Sequence, residues 1–163
     1  MTMVVFLLVF FLSIVMLVTF WRFLRKKDTF ESVFLFLFCS FICQHINFKL
    51  FSAYDRLSVV QELFPRLVSY LHFGVILPVI LIWILYAFRL QLTWFIKGLF
   101  TSLWIGLDIL SKYFYIMIGV LESKSDSWYP TVDLGISLGI IILSSFFVRK
   151  FHSILIKERI VVH

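Results

Sequence analysis

The residues best placed to do chemistry are Asp108 and Lys112, which lie well inside an apolar stretch running from Leu99 to Leu121. A charge held at that depth in a bilayer costs roughly 2.5–3.5 kcal/mol on insertion scales, so charges there are rare and are a functional hypothesis by default. Four residues apart on a helix, the two share a face, and the acid precedes the base, the favourable order for mutual neutralisation. Ser111 and Tyr115 add hydroxyls to that face. Such a face suits a polar site or an ion path inside a bundle. It equally suits a self-satisfied pair that fixes how one helix packs.

Other candidates are weaker. Ser40, Cys43, Gln44 and Asn47 fall at i, i+3, i+4 and i+7 and make one polar stripe. The stripe is expected to face the Asp108 helix or an aqueous boundary and to hydrogen-bond between helices. His45 and His72 stand near the same end of their helices, but their spacing demands no metal, and no cofactor motif is present. Cys39 and Cys43 are four apart, with no other cysteine to pair with, which argues against a disulfide scaffold or a thiolate zinc site. Asp133 follows Pro130 at the start of an apolar run, where the helix dipole favours a carboxylate.

The elements that must position these groups follow from composition. Of 163 residues, 62% are hydrophobic and 15% charged. Soluble domains run at about half apolar and a quarter charged, and disordered chains are more polar still. The expected class is an all-α integral membrane protein, a single membrane domain over residues 1–163. Spans of about 20 residues are expected at about 3–21, 30–48, 67–88, 99–121 and 131–148, giving a bundle of five transmembrane helices. The first lacks a basic leader and a small-residue cleavage site, so it is expected to be an uncleaved span. Pro78, four residues after Gly74, should kink the third. In the connector, Leu57, Val60, Phe64 and Leu67 recur at helical spacing, which predicts an interfacial helix over about 55–64, with Pro65 marking the turn into the third span.

Charge sets orientation. Arg22, Arg25, Lys26, Lys27, Arg89, Lys97, Arg149, Lys150, Lys157 and Arg159 gather on one side, against Lys49, Arg56, Arg66 and Lys124 on the other. The positive-inside rule then puts the N-terminus outside and the C-terminus in the cytoplasm. Because the net charge of +6 sits at the ends of apolar runs, it reads as membrane orientation and not as a nucleic-acid face. Phe occurs 21 times while Ala stands only at Ala53 and Ala87, a codon bias that points to a low-GC, bacterial genome and so to a bacterial cytoplasmic membrane.

Small residues recur every fourth position at Gly98, Ser102 and Gly106, and again at Gly135 and Gly139. Such stripes let helix backbones approach closely in lipid. With five helices to pack, they are expected to serve packing inside the monomer, ahead of self-association.

Two resemblances bear on function. The run Asp133 to Leu143, DLGISLGIIIL, resembles the last-helix stretch of the lipoprotein signal peptidases, and Asp108 to Lys112, DILSK, resembles their D-x-x-[ST]-K motif. This likeness implies an intramembrane aspartyl hydrolase using Asp108 and Asp133. The chain departs from that pattern. DILSK lies in the fourth span and not near the N-terminus, Thr131 and Val132 stand where Asn and Ala belong, and the RNxG and GNxxDR segments do not occur. The second resemblance is one of layout. Trp21, Arg22 and Arg25 close the first span, Pro78 sits in the third, and Leu103 and Trp104 open the fourth. Gly119 lies near the end of the fourth, and Trp128 in the last turn. This arrangement is similar to a family of small five-span membrane proteins from low-GC, often spore-forming Gram-positive bacteria, which brings no known activity. That family often has an acid followed by an aromatic where Lys112 and Tyr113 stand; here the acid is Asp108.

The expected function is a non-enzymatic accessory or interaction subunit in the lipid bilayer, with a membrane-protein partner or a second copy of itself. A small-solute or ion transporter or channel subunit, using Asp108, Ser111, Lys112 and Tyr115 with Gln44 and Asn47, is the alternative. The hydrolase ranks third.

Overall fold

A computed structural model describes residues 2–24, 29–53, 57–90, 92–123 and 130–157. Arg25, Lys26, Lys27, Arg56, Lys124, Trp128 and Arg159, used above for orientation and layout, lie outside the described residues. Five helices are long and apolar enough to cross a membrane. They are α1 (Thr2–Leu24), α2 (Thr29–Ala53), α3 (Leu63–Arg89), α4 (Trp94–Met117) and α5 (Pro130–Lys157). Two short strands, β1 (Leu57–Val59) and β2 (Leu121–Ser123), pair antiparallel, with Leu57 opposite Ser123 and Val59 opposite Leu121. They mark one end of the bundle, the strand end. Arg22, Arg89 and Lys157 mark the other, the basic end.

The third helix is the hub. Of its most apolar window, 67% is buried, against 17% for α1 and for α4. Leu77, Leu81, Ile82 and Phe73 from α3 meet Leu35 and Cys39 from α2, Trp104 from α4 and Ile140 from α5. Phe34 of α2 stacks on Phe151 of α5, ring centroids 4.6 Å apart, which gives the Phe-rich start of α2 its partner.

Within α3 the chain passes through a π turn at His72–Ile76. Pro78 has no N–H to offer the Gly74 carbonyl four residues back. The helix widens just before it, and the Leu77 N–H reaches the His72 carbonyl. The Ser40 hydroxyl donates to the Gly74 carbonyl at 2.6 Å, replacing the donor that proline removes. Gln44 donates to the Tyr70 carbonyl at 3.3 Å. Two members of the polar stripe of α2 thus hydrogen-bond between helices as expected, but to α3 and not to the Asp108 helix or an aqueous boundary. The irregular backbone of the π turn is what needs side-chain donors. Gly74 makes this possible, because a Cβ there would collide with Gln44 Nε2.

Three further expectations are corrected. The connector is not an interfacial helix. Leu57–Ser58–Val59 also alternates with period two, and pairing with β2 selects the strand, burying Leu57 and Leu121 together. Leu63 then begins α3, with Pro65 inside its first turn, where a missing N–H costs nothing. Second, α4 stops at Met117 and not near 121. Gly119, at φ 73°, reverses the chain, its N–H bonding to the Ile116 carbonyl and that of Val120 to the Tyr115 carbonyl at 2.9 Å. This is the paired pattern that a left-handed glycine permits at a helix C-terminus. Third, the small-residue stripes do not pack the monomer. Among the described residues nothing lies within 4 Å of a Cβ built on Gly98, Gly106, Gly135 or Gly139, and Ser102 is exposed. The cause on α5 is rotational. Asp133 and Ser137 point inward, and the glycines two residues on lie roughly 200° around the helix. The fifth helix also continues well past 148, to Lys157.

Candidate functional site: a buried charge triad

Asp108 and Lys112 occupy successive turns on the inward face of α4, and neither is exposed to any degree. Lys112 Nζ donates to Asp108 Oδ2 at 3.0 Å. It also donates to Asp133 Oδ1, from the first turn of α5, at 2.9 Å. One ammonium thus bridges two carboxylates on two helices. Ser137, a turn below Asp133, donates to Asp108 Oδ2 at 2.6 Å and lies 2.8 Å from the Asp133 carbonyl. Its one hydrogen serves two acceptors, so donation alternates between α4 and its own helix. Asp108 Oδ1 is buried with no hydrogen-bond partner among the described residues. Asp133 keeps 11% of its side chain exposed, at the strand end.

The rest of the predicted face divides. Ser111 donates to the Asp108 carbonyl at 2.8 Å. That uses its hydrogen, so the contact with His72 Nε2 at 2.9 Å is one in which the histidine donates. Tyr115 is buried with its ring edge-on to His72, centroids 5.0 Å apart. Gln44 serves the π turn of α3, and Asn47 bonds back to the Cys43 carbonyl at 2.8 Å within its own helix. Asp108, Lys112, Ser111 and Tyr115 therefore gather with His72, Asp133 and Ser137, while Gln44 and Asn47 belong elsewhere. His45 stacks on Phe41 and does not meet His72's partners. No group of three or more metal-ligating side chains occurs among the described residues.

A second polar cluster, not apparent from the sequence, closes the basic end. Glu31, in the first turn of α2, is buried and accepts from Arg89 of α3 and from His152 Nδ1 of α5 at 3.2 Å. Ser32 and Tyr86 share a hydrogen bond at 2.7 Å beside it, and the Arg89 guanidinium lies 5.0 Å from the Tyr86 ring. Three helices are tied there by one carboxylate. Trp104, Leu77, Leu81 and Ile140 make the apolar layer between the clusters, with Trp104 donating to the Leu77 carbonyl at 3.2 Å.

Neither a family model, nor a curated protein, nor a solved structure matches this chain.

Proposed function

We propose that the chain is a multi-pass membrane protein that handles a small cation at the Asp108–Lys112–Asp133 triad, as a transport or channel subunit. The carrying observation is Asp108 Oδ1, a carboxylate oxygen buried with no hydrogen-bond partner among the described residues. Lys112 serves the other Asp108 oxygen and Asp133. A pair kept only for packing is satisfied at every oxygen. A buried carboxylate oxygen left open raises the cost of burial unless a cation visits it. Asp133, partly exposed, is the side from which a cation reaches Lys112 and Asp108. A five-helix protomer frames a pore only by oligomerising.

Spacing supports the membrane setting. Asp133 and His152 lie on one helix, 19 residues or about 28 Å apart, so the two polar clusters stand near the edges of a hydrocarbon core about 30 Å thick. The excess of Lys and Arg at the basic end supports a cytoplasmic C-terminus and an outer N-terminus. The codon bias supports a bacterial cytoplasmic membrane. Reconstitution in liposomes tests the reading, with flux of protons, Na⁺ and K⁺ followed separately. Wild type is expected to pass one of them and Asp108→Asn to fall to background. No flux from either protein, or equal flux from both, sinks it.

A second reading, an accessory subunit, is favoured by one observation: the glycines of α4 and α5 meet no other described residue of the monomer. An aspartyl hydrolase needs two carboxylates sharing a proton face to face; here the Lys112 ammonium stands between them.

A further inference from the structure

Helix α1 packs along α3 near the strand end and touches α2 only sparingly. Toward the basic end an open groove of about 490 Å³ lies between α1 and α2, within the range of small-ligand sites, about 300–1,000 Å³. Phe20 and Phe36, centroids 5.4 Å apart, make its floor. Leu17 and Val18 wall it on α1, and Val33 on α2. At its mouth stand Trp21, 54% exposed, and Arg22, in the last turn of α1. The groove is thus apolar along its length and cationic at one end.

Arg22 forms no ion pair with a described residue. The nearest acid at this end of α2 that the structure describes, Glu31, is buried and already held by Arg89 and His152. Arg25, Lys26 and Lys27 follow in sequence and outnumber the one acid there, Asp28. An indole at headgroup depth, a guanidinium beside it and an apolar trough below match one chemistry, an anionic phosphodiester joined to a hydrocarbon chain.

We infer that this groove is a specific site for an anionic glycerophospholipid of the leaflet at the basic end. Its phosphodiester sits on Arg22, its glycerol lies beside Trp21, and the first methylenes of one acyl chain run down between Leu17 and Val33. From Arg22 to Leu17 the groove descends about 7 Å, so it grips the head and the upper chain and leaves the tail in the bilayer. The site is separate from the charge triad and does not depend on what the triad does.

Native mass spectrometry of the full chain tests it, after release from nanodiscs of equal phosphatidylglycerol and phosphatidylethanolamine. Wild type is expected to retain one phosphatidylglycerol in preference. Arg22→Gln removes the headgroup contact and Val33→Trp fills the exposed groove while leaving Arg22 in place; each is expected to abolish the preference. Lys97→Ala removes a cation elsewhere at the same end and is expected to leave it intact. Phosphatidylglycerol retained equally by the two groove variants overturns the site. So does an equal loss in Lys97→Ala, which marks a diffuse electrostatic shell, and so does displacement by inorganic phosphate, which marks a free-anion site.

Discussion

Lys112 is the residue on which the buried charges depend. It has no solvent exposure, and its ammonium meets both Asp108 and Asp133. Removing one partner from a buried ionic cluster costs about 3–5 kcal/mol, because the remaining charges are left uncompensated. Lys112→Met is therefore expected to unfold at markedly lower temperature in detergent, read by tryptophan fluorescence. The triple variant that adds Asp108→Asn and Asp133→Asn is expected to recover most of that loss; failure to recover would show that Lys112 acts through packing alone. The Asp108–Lys112 half of the cluster was legible in the sequence because a four-residue spacing on a helix needs no tertiary information. Asp133 was joined to Asp108 only through the hydrolase resemblance, because its place in a first helical turn already has a sufficient local reason in the helix dipole. Only the packing of α5 on α4 reveals its second role. Glu31 was hidden in the same way, as a first-turn acid whose partners, Arg89 and His152, lie on other helices.

At the scale of elements, α3 shows how local signals meet. The sequence carried Pro78 and, separately, the polar stripe of α2, but not that Ser40 and Gln44 serve the backbone Pro78 disturbs. A proline marks where a helix loses a donor; which neighbour supplies one depends on docking. At Gly74 the backbone of α3 lies directly against the Gln44 side chain of α2. Gly74→Ala puts a methyl into Gln44 Nε2, with Gln44 Cδ 2.9 Å away, and is expected to lower the unfolding temperature. Shortening the obstacle with Gln44→Ala in the same chain is expected to restore part of it, a coupling that a double-mutant cycle measures. The β1–β2 pair was missed for a different reason. Three residues of alternating pattern are indistinguishable from a stretch of amphipathic helix until the partner strand, more than sixty residues on, is known. Gly119 could have signalled the end of α4, since a glycine after an apolar helix is a C-terminal stop.

For the whole molecule, composition was enough to give five apolar helices and the all-α class. It could not give rotation, the choice of which face of each helix turns inward. The polar groups decided that. Burying Asp133 and Ser137 turned Gly135 and Gly139 outward, so a motif expected to serve internal packing lies on the surface. The monomer is then indifferent to bulk there. Gly139→Leu is expected to change the stability of the isolated protein by less than about 0.5 kcal/mol, as surface substitutions do. In gently extracted membranes the same variant is expected to lose any stoichiometric partner or second copy that accompanies the wild type, seen as a drop in particle mass. A particle unchanged in mass removes the support for an accessory role.

The spacing of the triad along the chain also has a bearing on how the protein is made. Lys112 and Asp108 are four residues apart, while Asp133 follows Lys112 by twenty-one. As α4 leaves the ribosome, Lys112 already has its own counterion one turn away on the same helix. The second carboxylate arrives only with the following helix, in its first turn. The strands obey the same schedule, since β1 waits for all of α4 before β2 exists to pair with it. Biosynthesis thus delivers the second carboxylate last, to a pocket whose lysine is already in place.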